Sequence, residues 1–238
     1  MKKVFLLLSV FILTACTCMM YRVFNHQKSV FNHKKVLIKD DREIIYLANA
    51  HMGSEKYFEE IKYFINQKRE EGYVIYYEGI TRENIENKAL QDTLNLKFRK
   101  LLGYSIRGGY SNQDNKSLPK CFKKYVGQTM ANTGINETTD INVDLSLNKL
   151  LDLYEEKYGN IKLDECDFTT PLDQKYNCGH LNAEFKVSHE FRDEYLIDKL
   201  LNSDDNKIVL IYGKAHWLLA IYPELVHKNG YKLIYGKI

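Results

Sequence analysis

Proline is scarce in this chain, three residues in 238, and neither a low-complexity tract nor a repeat of fixed period runs through it. Set beside eighteen tyrosines, that scarcity argues against a disordered polymer and for an ordered, aromatic-rich globule. An excess of one charge sign is also missing. With 34 basic and 31 acidic side chains, and Lys34-Lys35 too short for a basic patch, nothing in the composition calls for a nucleic-acid partner. No apolar run reaches the roughly 20 residues that a membrane-spanning helix needs. Of the five cysteines, Cys166 and Cys178 form the most local plausible pair, and their C-x11-C spacing matches no common zinc template.

What is present begins at the amino terminus. Lys2 and Lys3 precede an apolar run from Val4 to Leu13 broken only by Ser9, and Leu13-Thr14-Ala15-Cys16 then places small residues directly before a cysteine. This is the pattern of a bacterial lipoprotein signal peptide, with residues 1–15 removed and Cys16 lipidated. A signal peptide cut by the ordinary peptidase, with Cys16 incidental, is the alternative that the lipobox position disfavours. The lipid would hold an otherwise soluble chain at a membrane. Thr17 carries no acidic retention signal, which favours the outer membrane, on its periplasmic or surface side. Residues 16–36 then read as the lipidated end and a tether, and 37–238 as a single domain. Export also permits disulfides. Cys166 and Cys178, twelve residues apart, are the most local pair, to be read as a staple or as free buried thiols, with Cys18 and Cys121 left over.

Periodicity organises the remainder. Glu43–Asn49 reads as a buried strand, Glu55–Glu71 as a helix capped by Ser54, and Tyr73–Tyr77 as a second strand. Near the other end, Asn182–Leu201 reads as a helix, Lys207–Tyr212 as a strand, Trp217–Lys228 as a helix and Tyr231–Tyr235 as a final strand. Between them, about 81–180, the pattern is mostly helical (Asn84–Leu102, Lys120–Asn132 and Val143–Tyr158), with loops at 104–118 and 160–180. The fold class expected is α/β: a mostly parallel central sheet built from two β-α-β halves with a helical insertion between them.

Three polar residues fall where such a sheet places ligands, just beyond strand carboxyl ends. His51 follows the first strand, Glu78 the second, and His216 the third by way of Gly213-Lys214-Ala215. Two imidazoles and a carboxylate there could hold a divalent metal (Zn, Mn or Co) that activates water. Without metal, a histidine can take a proton from water while the carboxylate orients it. A histidine after a strand is more often a loop residue, and a glutamate there often caps a helix. It is the shared topology that lifts the trio above those readings. His26, His33, His180, His189 and His227 show no comparable placement and default to surface or core.

Taken together, Ala48-Asn49-Ala50-His51 with Gly53, Glu78-Gly79, Arg192-Asp193 and Gly213-Lys214-Ala215-His216 resemble the TraB/GumN/Tiki superfamily, over roughly residues 43–236. Its relatives include erythromycin esterases and ChaN-like haem-binding lipoproteins. The resemblance implies a hydrolase of peptide, ester or lactone bonds, with His51, Glu78 and His216 as the metal-binding or acid/base set. It makes Arg192 the cation near developing negative charge. Ala48 stands where the family has glycine, and Trp217-Leu218-Leu219 replaces a Leu-Pro-Gly-like turn, which leaves the substrate open. A haem or iron carrier and a non-catalytic surface lipoprotein of the same fold are the alternative readings.

Overall fold

The computed structural model describes residues 29–82, 87–104 and 125–237; Cys16, Cys18, Cys121 and His26 lie outside them, as does most of the loop expected at 104–118. The strands are β1 (Lys34–Lys39), β2 (Arg42–Asn49), β3 (Met52–Gly53), β4 (Val74–Tyr77), β5 (Val126–Gly127), β6 (Ile141–Asn142), β7 (Lys207–Gly213) and β8 (Lys232–Tyr235). Six of them form a mixed sheet in the order β6-β4-β7-β2-β1-β8, and β3 pairs with β5 in a small ribbon. β6, β4, β7 and β2 are mutually parallel, and β1 runs antiparallel to both β2 and β8. The protein is thus α/β with a mostly parallel sheet.

The central strands are apolar without alternation because helices cover both faces. On β2 and β7, Ile44, Tyr46, Ile208 and Leu210 pack toward one helical layer, and Ile45, Leu47, Val209 and Ile211 toward the other. The second layer is α1 (Glu55–Glu70), which buries Tyr57, Phe58, Ile61, Phe64 and Ile65 at helical spacing. The Ser54 side chain accepts a hydrogen bond from the Tyr57 N–H at its start, and Gly72, at φ +84°, turns the chain back toward β4. The first layer is built from the carboxyl-terminal helices: α6 (Phe191–Leu201), entered through a π turn at Lys186–Glu190, and α7 (Lys214–His216), continued by a π-helix at Trp217–Lys228. The crossover from β2 to β4 passes β7 on one face. The crossover from β7 to β8 passes β2 and β1 on the other. Crossovers departing in opposite directions leave a crevice at the strand carboxyl ends.

The middle of the chain supplies α2 (Lys88–Leu102), α3 (Met130–Thr133), α4 (Leu147–Tyr158) and α5 (Glu165–Thr169). α2, α4 and the start of α6 share a separate apolar cluster that includes Phe98, Leu101, Leu150, Tyr154 and Phe191. Cys166 and Cys178 are joined as a disulfide. The loop they close is tied to α2 by Arg99, which donates to the Pro171 and Asp167 carbonyls, and by Lys100, which pairs with Asp164 and Asp167.

Three expectations need correction. The stretch read as tether to residue 36 enters the fold earlier: Val30 is fully buried, and Lys34 opens β1. Lys120–Asn132 is not one helix, because Val126–Gly127 pairs with β3 and Thr129 caps the short α3. The helix expected from Val143 begins only at Leu147, where Ser146 caps it. Val143 instead donates its N–H to the Tyr77 carbonyl, so Asp144 leaves the sheet edge at a bend ahead of the helix. No helix among the described residues is long and apolar enough to cross a membrane.

Candidate active site

Parallel strands deliver their exits to one edge. Reading across β6, β4, β7 and β2, that edge carries Asp144, Glu78, Gly213 with His216, and His51. Gly213 is required by close approach. A Cβ there would stand 3.1 Å from Glu78 Oε2 and 3.2 Å from His216 Cδ2, so a side chain would drive the two apart.

Glu78 is the hub. It is buried, Arg192 Nη2 donates to its Oε1 at 2.5 Å, and the Gly213 N–H donates to its Oε2 at 2.6 Å. Burial pushes the Glu78 carboxyl up, but the charges of Arg192, His51 and His216 and the Arg192 hydrogen bond outweigh it. The net effect is a carboxyl below its ordinary value, hence ionised at neutral pH. Arg192 also grips Asp144 with two nitrogens, Nε to Oδ1 at 2.8 Å and Nη2 to Oδ2 at 2.6 Å, and donates Nη1 to the Ser188 carbonyl at 3.1 Å. Burial works against the guanidinium charge, and Asp144 and Glu78 reverse that, keeping Arg192 protonated. Asp144 is fixed in turn by the N–H groups of Gly79 and Leu145. All of this lies below the surface: a buried cation between two carboxylates, with charge-assisted hydrogen bonds to each.

His216 stands between Glu78 and a further carboxylate, Asp193. Its Nδ1 is hydrogen-bonded to Asp193 Oδ1, and its Nε2 lies 3.8 Å from Glu78 Oε1. The Tyr212 ring meets it edge-on at 4.7 Å, and the His189 ring lies 4.8 Å away. His51, by contrast, is exposed at the mouth. Its ring Nδ1 is 3.3 Å from Gln128 Oε1, and its carbonyl accepts from the Gln128 N–H. The β3–β5 ribbon therefore holds His51 in place.

The structure brings Glu78, Arg192 and His216 into direct contact or near contact and sets His51 within electrostatic reach of Glu78. Arg192 is buried, and each of its guanidinium nitrogens is hydrogen-bonded, to Asp144, Glu78 or the Ser188 carbonyl. Three participants were not among the candidates chosen by sequence: Asp144, Asp193 and His189. Asp193 and His189 sit four residues apart on a helical stretch, so a signal existed in the His-Glu-Phe-Arg-Asp run. Asp144 had none, because the residues around it read as helix. As metal ligands, the predicted trio meets an obstacle in Glu78, whose two oxygens already serve Arg192 and Gly213 and whose neighbour is a cation. Among the described residues, the His, Cys, Asp and Glu ligand atoms that converge are those of His189, Asp193 and His216, all within 4.8 Å of one another. Comparison of the chain with protein-family models, with curated proteins and with solved structures finds no match in any of the three.

Proposed function

We propose that the chain is a lipid-anchored exported hydrolase of the TraB/GumN/Tiki type, with water activated in the crevice bordered by His51, Glu78 and His216. We read its fold as two β-α-β halves, with residues of about 81–180 inserted between them and contributing one short edge strand, β6. The observation that carries the chemical reading is the environment of Glu78: a buried carboxylate kept ionised by Arg192 and facing two imidazoles. Titratable groups with shifted pKa values gather at functional sites, and an imidazole beside a carboxylate is a pairing that general-base activation of water uses.

In this reading His51, exposed at the mouth, takes the proton from water attacking an ester, lactone or peptide carbonyl. It returns that proton to the leaving alcohol or amine as the C–O or C–N bond breaks. Imidazoles exchange protons near neutral pH. Glu78 stabilises the imidazolium that forms, and His216, aligned by Asp193, holds the far side of the carboxylate. Arg192 positions Glu78, since its donors are already committed. The acid/base version is preferred to a metal on His51, Glu78 and His216 because Arg192 would oppose a second cation at Glu78.

The full chain, purified in detergent, is expected to hydrolyse members of a panel of aryl esters, lactones and short peptides. His51→Ala and Glu78→Gln should each lower kcat/KM by about 100-fold or more. Unchanged turnover in both variants would remove the proposal. Anchoring is checked separately: cells fed a labelled fatty acid should label the chain, and Cys16→Ser should abolish the label. A labelled serine variant would exclude lipidation at Cys16.

A further inference from the structure

That chemistry leaves His189 unused, beside His216 and four residues before Asp193. We infer that His189, Asp193 and His216 form a binding site for one divalent transition-metal ion, held on the Nδ1 side of His216 and distinct from the His51/Glu78 side.

Several observations meet here. The ligand atoms of the three residues lie within 4.8 Å of one another, close enough for side-chain rotation to bring them onto one ion. His189 Nδ1 is buried without a hydrogen-bond partner. An orphaned ring nitrogen inside a protein is costly, and a metal bond would satisfy it. The π turn at Lys186–Glu190 carries His189, whose ring lies 4.8 Å from that of His216.

The surroundings complete the site. With Nδ1 on the ion, His216 would point Nε2–H at Glu78, 3.8 Å away. A metal-bound histidine commonly donates its other N–H to a carboxylate that fixes its orientation, and Glu78 is itself held by Arg192 and Gly213. Asp193 also lines a groove of about 600 Å³ between α6 and the final π-helix. That groove supplies an entry path and room for an exchangeable fourth ligand. Glu190, Glu194, Asp198 and Glu224 line it too. Lys157 and Lys228 pair with the first and last of these, and Glu194 and Asp198 leave a field that favours a cation. Two histidines and one carboxylate with an open position suit Zn²⁺, Co²⁺ or Fe²⁺ rather than Mg²⁺ or Ca²⁺.

Metal binding here does not depend on the chain being a hydrolase, and its test does not read turnover. The full chain, stripped with chelator, is titrated with Zn²⁺ by calorimetry and with Co²⁺ by visible absorption. One equivalent should bind, with cobalt bands characteristic of nitrogen and oxygen ligands. His189→Ala should weaken binding at least about tenfold and remove the bands, and Asp193→Asn should do the same. His51→Ala should leave both readings unchanged. His189 is only partly buried, so its alanine variant should unfold like the parent without metal, and only the parent should gain thermal stability from Zn²⁺. Absence of stoichiometric binding would overturn the inference. So would binding that survives His189→Ala or that is lost in His51→Ala.

Discussion

Replacing Arg192 with methionine is expected to destabilise the protein by about 3–5 kcal/mol, read as a lower midpoint in urea unfolding at neutral pH. The reason is what would be left behind. Arg192 is nine-tenths buried and is the cation shared by Glu78 and Asp144, both buried themselves. Methionine keeps most of the volume and none of the charge, so two buried carboxylates would keep their backbone N–H donors but lose the cation they share. Adding Glu78→Gln to Arg192→Met should restore part of the loss, because one unpaired charge disappears. If the double variant is no more stable than the single, the network is not what Arg192 supports.

The pH dependence follows with a definite sign. In the folded protein Glu78 titrates below its ordinary value, so the stability it contributes is present above the unfolded value of about 4.3. That contribution is lost as pH falls through the lower folded value. In Arg192→Met the same carboxyl is buried without its cation and should titrate higher. The stability gap between parent and variant should therefore narrow as pH is lowered from 7 into the carboxylate range. A gap that stays constant would mean that Glu78 is not ionised at neutral pH.

The second large effect concerns the loop from Cys166 to Cys178. The double variant Cys166→Ser/Cys178→Ser is expected to lose about 3 kcal/mol, the chain entropy that a crosslink closing twelve residues removes from the unfolded state. The folded loop should survive, since Arg99 and Lys100 of α2 hold it from outside and Tyr176 ties it internally by donating its hydroxyl to Asp167. The Tyr176 hydroxyl is pushed up to about 12 by burial and then by that hydrogen bond, so it remains a donor throughout the working pH range. Reductant should shift the parent's urea midpoint to that of the double variant and leave the variant unmoved. A parent indifferent to reductant would show that the crosslink contributes nothing.

Legibility in the sequence differed from element to element for physical reasons. β2, α1, β4 and β7 were readable because local pattern and tertiary burial agree there: continuous apolar runs for two-faced strands, and three-and-four spacing with a serine cap for the helix. Residues 125–129 misled because their pairing partner, β3, lies about seventy residues away and no local pattern encodes it. Helical spacing across Val143–Leu145 was equally real, but the Tyr77 carbonyl at the sheet edge captured the backbone first.

The sequence by itself determined that Glu78, His51 and His216 leave strands, and parallel pairing then required them to share an edge. It could not determine what each side chain meets there. Arg192 is sandwiched between Asp144 and Glu78, and Asp193 and His189 stand beside His216, because crossovers on opposite faces fold α6 down onto the strand ends. Those partners come from segments 23 to 114 residues apart in the chain. Side-chain identity is written locally, but the charge that neutralises a buried carboxylate is supplied only when distant segments pack together.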